Sequence, residues 1–379
     1  LILKKMYDVI IIGGGLGGLT LSIQLAKSGW NTLLIEQKKY PFHRVCGEYI
    51  SDEAWGFLNR LGIDHVDLKL PQINKLKVSA VDGTTLEAAL TVGGKGISRY
   101  LLDHQLYQIA IDSGVTVHTS EKVTDLSKEN NSWFIKTNKS DYLSRVVIGA
   151  FGKRSLLDKL LQRDYIKKAP LNYRLKNFIG VKYHLRGEFP DDVIELHNFR
   201  GGYCGISKVE EDKICMCFLS RGSNLKEVHT LDEIEKKYLS QNPFLKKYLQ
   251  YERLWDKPLS IAQVDFSNKK LIENEIPMLG DAAGLIAPLC GNGMSMAMQA
   301  SVILHKELDN YLHQHISWNN LKYNYTTQWK DTFHHRLKTG RFIQRLFGDN
   351  MTTNILLRSL KFSPFITEKI IRSTHGNPF

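Results

Sequence analysis

Asp8-Val9-Ile10-Ile11-Ile12-Gly13-Gly14-Gly15-Leu16-Gly17-Gly18 is the stretch that decides the fold. A continuous apolar run entering glycines suits a strand covered on both faces, as in a parallel sheet. Leu19, Ile23, Leu25 and Ala26 follow at helical spacing, and Gly29 fits the stop of a helix over Leu16 to Ser28. Thr32-Leu33-Leu34-Ile35-Glu36 is then a second buried strand ending in an acid. In this strand–helix–strand unit Gly13 permits the tight turn, Gly15 lets backbone approach a pyrophosphate, and Gly18 lets helix and strand pack closely. The amides at Leu16 and Gly17 open the helix, where free N–H groups and the dipole favour an anion. Glu36, with Gln37 beside it, is placed to accept hydrogen bonds from ribose hydroxyls. This corner does not say which dinucleotide it holds.

Outward from it, the chain changes character twice. Residues 66–96 and 161–270 show short alternating segments, such as Lys75 to Ala80 and Lys213 to Leu219, expected as strands of a mixed or antiparallel sheet. In the latter Ile214, Met216 and Phe218 alternate with Cys215, Cys217 and Leu219, so both faces are expected to be partly buried. Between them Tyr100 to Ser113 has helical spacing, Val115 to His118 reads as a strand, and Val146 to Ala150 as a buried strand ending in small residues. Pro277 to Gly280 is a short strand entering Asp281-Ala282-Ala283-Gly284, and a helix is expected from Gly293 to about Tyr311. The expected organisation is a discontinuous nucleotide-binding domain (1–65, 97–160 and 271–311), a twice-inserted sheet domain (66–96 and 161–270), and a helical C-terminal region (312–379).

The chain has 379 residues, 51 Lys plus Arg against 39 Asp plus Glu, and a net charge of +12. Ordinary hydrophobic and charged fractions of 42% and 24% exclude a disordered or fibrous chain. Cys46, Cys204, Cys215, Cys217 and Cys290 are an odd number and do not read as a disulfide framework, so a reducing, cytoplasmic setting is expected. Lys4-Lys5 before an apolar run imitates a signal peptide, but the run enters glycines and no cleavage site follows. No run of apolar residues is long enough to span a membrane. Between Ser301 and Phe379 there are 11 Lys plus Arg and 5 Asp plus Glu. That surplus is a solvated helical face, or a docking surface for an acidic protein or the periphery of a membrane. Basic charge without a nucleic-acid module does not point to nucleic acid. Cys215-x-Cys217 reads as core packing, and His313, His315, His334 and His335 as solvated, so no metal site is expected.

A second motif, Gly280-Asp281-Ala282-Ala283 followed by Pro288 and Gly291-Asn292-Gly293-Met294, resembles the FAD-dependent oxidoreductases of the para-hydroxybenzoate hydroxylase and geranylgeranyl reductase superfamily. The resemblance implies an α/β fold: a Rossmann-like FAD-binding domain of the glutathione-reductase type, an inserted mixed β-sheet substrate domain, and a helical C-terminal region. It implies FAD as cofactor, Asp281 on the ribityl chain, and Pro288 to Met294 along the isoalloxazine ring. Arg44-Val45-Cys46-Gly47-Glu48-Tyr49-Ile50-Ser51 resembles the C-G-x-x-x-S stretch of geranylgeranyl-reductase-like members, which runs along the flavin. Cys46 and Gly47 are then neighbours of the ring, Cys46 either donating a proton or only packing, and Arg44 belongs with the phosphates or adenosine. Arg99 matches an FAD-contacting arginine at a helix start, and Val123 the position whose backbone meets adenine.

Two departures matter. Where many hydroxylases carry Asp-Gly for FAD and NAD(P)H, this chain has Phe151-Gly152, with Arg154 and Ser155 retained, which leaves both NAD(P)H and another electron donor open. Gly201-Gly202-Tyr203-Cys204-Gly205 has Gly205 where relatives place a tryptophan over the substrate cavity, which argues against a standard halogenase and implies open space. Tyr203 lines that cavity or donates a proton, or is a core tyrosine. The expected function is geranylgeranyl-reductase-like hydride transfer from flavin to an apolar or aromatic substrate of prenyl, polyene or polyketide type, free or bound to a carrier protein. The alternatives are a monooxygenase of the aromatic hydroxylase type acting through a C4a-hydroperoxide, and a flavin electron-transfer or docking protein without a small substrate.

Overall fold

The computed structural model describes residues 6–153, 155–167, 178–264, 266–284 and 291–379, the side chain of residue 345 excepted. In chain order, β1 (Met6–Ile12), α1 (Leu16–Lys27), β2 (Thr32–Ile35), β3 (Tyr49–Ser51), α2 (Trp55–Leu61), β4 (Gln72–Ser79) and β5 (Thr85–Gly96) lead into α3 (Arg99–Asp112). Then come β6 (Thr116–His118), β7 (Val123–Glu129), β8 (Ser132–Thr137), β9 (Asp141–Gly149), α4 (Leu156–Leu160) and α5 (Asp164–Lys167). The second inserted stretch carries β10 (Phe178–Arg186), β11 (Val193–Phe199), β12 (Gly202–Lys208), β13 (Ile214–Arg221), α6 (Gly222–Val228), α7 (Leu231–Lys237), α8 (Pro243–Tyr248), β14 (Glu252–Arg253) and β15 (Leu259–Val264). The hairpin β16 (Ile272–Glu273) and β17 (Ile276–Pro277) precedes α9 (Gly293–Leu312), α10 (Trp318–Leu346), α11 (Asn350–Lys361) and α12 (Pro364–Thr374).

The first sheet has the order β6-β2-β1-β9-β8-β7. Its β6, β2, β1 and β9 run parallel, with Ile10 opposite Leu33 and Val147, while β7 and β8 extend it as an antiparallel hairpin. The apolar run of β1 is buried between β2, β9 and α1, and α3 and α9 pack on α1 in the same core. Gly13 turns the chain at φ +110°, and a Cβ there would stand 2.3 Å from the Ala150 carbonyl oxygen, so no other residue fits.

The second sheet has nine strands in the order β14-β10-β13-β12-β11-β4-β5-β3, with β15 also pairing β10. Both inserted stretches share it, since β4 runs parallel to β11 with Val78 opposite Leu196. Its alternation sorts side chains to two faces. Val181, Tyr183, Cys204, Ile206, Met216 and Phe218 pack against α6, α7 and α8. Lys182, His184, Tyr203, Gly205, Cys215, Cys217 and Leu219 occupy the other, inner face, where Val78, Leu196, Val264, Phe347 and Leu357 form a further apolar cluster.

Three boundaries differ from the expected ones. β3, inside the stretch ascribed to the nucleotide-binding domain, pairs with β5 through Tyr49 and Gly96 and belongs to the nine-stranded sheet. Leu161 and the fully buried Arg163 lie against the first sheet's core, Arg163 donating to the carbonyls of Ala282 (3.0 Å) and Lys270 (3.0 Å). The C-terminal region is not separate: Leu321, Tyr325, Trp329 and Phe333 of α10 are buried in that same core. In each case an apolar or paired polar side chain found its burial across a boundary that periodicity alone cannot see.

Candidate functional site

The β1–α1 corner carries unused hydrogen-bonding capacity. Gly15 precedes α1 without a side-chain cap, and a Cβ built on it would meet only Arg99 Nη2, at 3.9 Å. An α-helix leaves its first amides, here at Leu16, Gly17 and Gly18, without partners inside the helix, and the space beside Gly15 is open. Gly18 is fixed by packing, its ideal Cβ lying 2.1 Å from the Gly13 carbonyl oxygen.

Around this opening lies a balanced set of charges. Glu36 is buried and accepts from the Gly14 amide (2.9 Å), the Lys38 amide (3.0 Å) and Arg44 Nη2 (3.2 Å). Gln37 beside it is exposed. Arg44 also donates to the Gly14 carbonyl (3.1 Å) and, through Nε, to Asp103 (2.9 Å). Arg99 grips Asp103 with two nitrogens (2.6 and 2.8 Å). Burial disfavours its charge, but Asp103 outweighs that and holds its pKa above the ordinary value. Val123 opens β7 and is buried, two residues from Glu121, whose amide donates to the Glu36 carbonyl (3.1 Å).

The second corner lies across the opening. Gly280, at φ +61°, starts the short turn of Asp281, and Gly291 adopts φ +67° before α9. Asp281 contributes to the field at Arg99 and lines a small hollow with Gly280, Gly284, Met296, Ala297 and Trp329. Gly293 opens α9, and Met294 is buried in the first core. Asn292 is fully buried before α9: its Nδ2 donates to the Thr374 carbonyl and ties α9 to α12, and its carbonyl accepts from the Met296 amide (3.0 Å). Pro288, Arg154 and Cys290 lie outside the described residues.

Between the two corners the segment 36–51 crosses from β2 to β3, from one sheet to the other. Val45 lies over Gly180, whose ideal Cβ would approach it at 3.1 Å. The Cys46 carbonyl accepts from Cys215 Sγ at 3.5 Å, and Cys46 is half-buried. Gly47 is exposed, with open space where a Cβ would stand. Glu48, in left-handed backbone at φ 56°, turns its carboxylate into the interior. There it accepts from Lys182 Nζ, from the Arg99 amide (2.7 Å) at the start of α3, and pairs with His184 Nε2 (2.6 Å). Glu48 and Lys182 are fully buried and His184 nearly so.

Burial pushes the Glu48 carboxyl up, but Lys182 and His184 outweigh it and hold the pKa at about 2. Burial likewise disfavours the Lys182 ammonium, and the Glu48 carboxylate restores it to above its ordinary value. The pair is therefore ionic at neutral pH. Above it His43 stacks on Tyr100 (4.6 Å) and meets Trp255 (4.3 Å) and the edge of His184 (5.3 Å). Burial and the nearby Lys182 lower His43 to about 4, so it is neutral. Burial pushes the Cys217 thiol up to about 12.

Sequence reasoning passed over Glu48, Lys182, His184 and His43. The available signal was Lys182-x-His184 inside an otherwise apolar strand, since a charge there requires a buried partner. Among the described residues His43, Glu48 and His184 have ligand atoms within 4.8 Å of one another, close enough for a metal ion, against the expectation of no such site. The Lys182 ammonium already occupies Glu48 and would repel a cation. The structure brings Cys46 to this knot, whereas Tyr203 belongs to the apolar cluster beyond it, edge-on to Phe347 at 6.4 Å.

A glycine-cornered helix start, an acid on the second strand and an arginine over the opening define a dinucleotide-dependent redox protein. Residues 6–327 match the model of the FAD binding domain family, and the chain belongs to it. The chain is 24% identical over 364 residues to a digeranylgeranylglycerophospholipid reductase of Methanosarcina mazei, covering 91% of this chain and 86% of that one. It is 25% identical over 329 residues to conditioned medium factor receptor 1 of Dictyostelium discoideum, covering 79% of this chain but only 62% of that longer protein. The flavin-dependent brominase Bmp2 shares the fold with a TM-score of 0.79 at 16% identity, over 98% of this chain and 93% of that one. The chain is an FAD-dependent oxidoreductase, and its open helix start, Arg99 and the Gly280–Asp281 turn fit that cofactor.

Proposed function

We propose that this oxidoreductase saturates a carbon–carbon double bond of an apolar, prenyl- or polyene-type substrate lying along the inner face of the nine-stranded sheet. The observation that carries this reading is the composition of that face. Val78, Leu196, Leu219 and Val264, covered by Phe347 and Leu357, make it an apolar layer, and its ionic groups gather at the end where Cys46 and Glu48 cross over from the nucleotide-binding corner. The similarity to a digeranylgeranylglycerophospholipid reductase supports the same substrate class.

FAD, when bound, supplies hydride chemistry. The amides of Leu16 to Gly18 and the Arg99 guanidinium would hold its pyrophosphate, Glu36 its adenosine ribose, and Asp281 its ribityl chain. Gly47 leaves room for a flat ring to pass. Cys46 Sγ is the group we assign to give the second carbon its proton. The Lys182 ammonium lies on the same inner face as Cys215, whose thiol donates to the Cys46 carbonyl, so a cation stands at this end of the face. Glu48, itself paired with His184, holds that ammonium in place, and Trp255 lies over it with His43 packed on Trp255. The protein thus supplies position, a proton and dryness to a two-electron reduction whose electrons come from an external reductant.

The test is to supply dithionite-reduced, FAD-loaded protein with a prenyl or polyene probe in the absence of oxygen and weigh the product. A gain of two hydrogens, slowed by Cys46→Ser with FAD retained, is expected. A product formed only in air and carrying an added oxygen would replace this reading with a monooxygenase.

A further inference from the structure

Helices α11 and α12 present an unusual outer surface. On α11, Thr353, Leu357 and Leu360 turn inward, and Leu357 joins the cluster that covers the inner face of the large sheet. The opposite stripe, Met351, Ile355, Arg358 and Phe362, points to solvent at helical spacing. The turn between the helices places Phe362 and Phe365 at 89% and 75% exposure, with Met351 at 71% and Ile355 at 58%. Such side chains on one short hairpin form a contiguous apolar patch of the kind that marks an interaction site.

The charges around it are mainly positive. Lys361, Lys369 and Arg372 are exposed on the same two helices, Arg358 is exposed and pairs with Asp82 (3.1 Å), and the acids on the hairpin are Asp349 at the start of α11 and Glu368 on α12. Two copies of this hairpin placed face to face would oppose like charges, and the centres of protein interfaces are depleted of charge. Exposed aromatics among exposed lysines and arginines match instead a bilayer surface, where rings enter the acyl boundary and cations meet anionic headgroups. Among the described residues no helix is long and apolar enough to cross a membrane, so the hairpin would lie on the bilayer.

We propose that the α11–α12 hairpin docks this oxidoreductase on an anionic lipid bilayer. This rests on the surface of the hairpin and holds whichever reaction the flavin site performs. Docked this way, the inner faces of α10 and α11 remain the cover of the large sheet's apolar side, where Phe347 and Leu357 pack with Tyr203.

The experiment is co-sedimentation of the FAD-loaded full chain with vesicles of phosphatidylcholine, with and without phosphatidylglycerol, at low and high salt. Binding is expected to the anionic vesicles only and to weaken with salt. Phe362→Ser/Phe365→Ser and Lys361→Glu/Lys369→Glu should each lower partitioning about tenfold, with flavin absorbance and thermal midpoint unchanged. Absence of wild-type binding to anionic vesicles, or equal binding by the aromatic double variant, would overturn the proposal. So would a concentration-dependent dimer abolished by Phe362→Ser/Phe365→Ser without vesicle binding, or retention on immobilised polyglutamate alone.

Discussion

Glu48 serves three partners at once: it terminates the amide of Arg99, neutralises Lys182 and orients His184. Removing one member of a buried ion pair leaves the other charged and unsolvated, at a cost of about 3–5 kcal/mol. Lys182→Met should therefore destabilise the protein by about that amount in urea unfolding, and Glu48→Gln/Lys182→Met should recover most of it. Additive losses would show that the two groups are uncoupled. The same pair predicts an acid response. Glu48 has a folded pKa of about 2 against an ordinary 4.5, so its contribution is complete above the higher value and is lost as pH falls toward the lower. Stability measured at graded pH should fall across that window in wild type, and less steeply in Glu48→Gln. A flat wild-type profile there would contradict the ionic pair.

At the scale of elements, two glycines of one corner separate fold from cofactor. Gly13 has positive φ and a carbonyl at 2.3 Å from its ideal Cβ, so Gly13→Ala should prevent correct folding and leave colourless material. Gly15→Ala adds a methyl into open space, 3.9 Å from Arg99 Nη2. The apoprotein's thermal midpoint should stay put while flavin titration shows weaker binding, by about tenfold or more, because the methyl occupies the approach of the pyrophosphate. Unchanged affinity would remove the phosphates from this helix start. On β12, a Cβ at Gly205 would stand 3.5 Å from Leu196 Cδ2, an ordinary contact. Gly205→Trp should accordingly keep FAD and fold while narrowing the range of substrate sizes turned over, as read by a chain-length series of probes. This corner and the run of strands behind it were legible from residues 8–36 because strand, turn and helix are contiguous. The β3 strand was not, because three residues carry no periodicity and its partner β5 is supplied by a later segment.

Across the whole molecule, the C-terminal helices bridge both sheets: α10 enters the first core, and α11 and α12 pack against β5 of the large sheet. Arg336, nearly buried, donates to Glu53 (3.1 Å), and the Gly376 amide meets the same carboxylate. Arg336→Met should cost about 3 kcal/mol and expose the end of the chain to limited proteolysis before the rest. FAD, assigned by the proposed function to both corners, should raise the unfolding midpoint in proportion to the logarithm of its concentration, about 2.7 kcal/mol at a hundredfold excess over Kd. A midpoint indifferent to FAD would place the cofactor outside this cleft. Read alone, the amino-acid order determined the dinucleotide corner, the Gly280–Asp281 turn and the class of cofactor, since each is a short motif whose glycines and acid act within their own segment. The tertiary structure alone decided that Lys182 and His184 reach Glu48, more than a hundred residues away, and which side of each strand faces the cleft. A buried charge is tolerated only beside its partner, and that partnership is settled by which segments the packing of two sheets brings together.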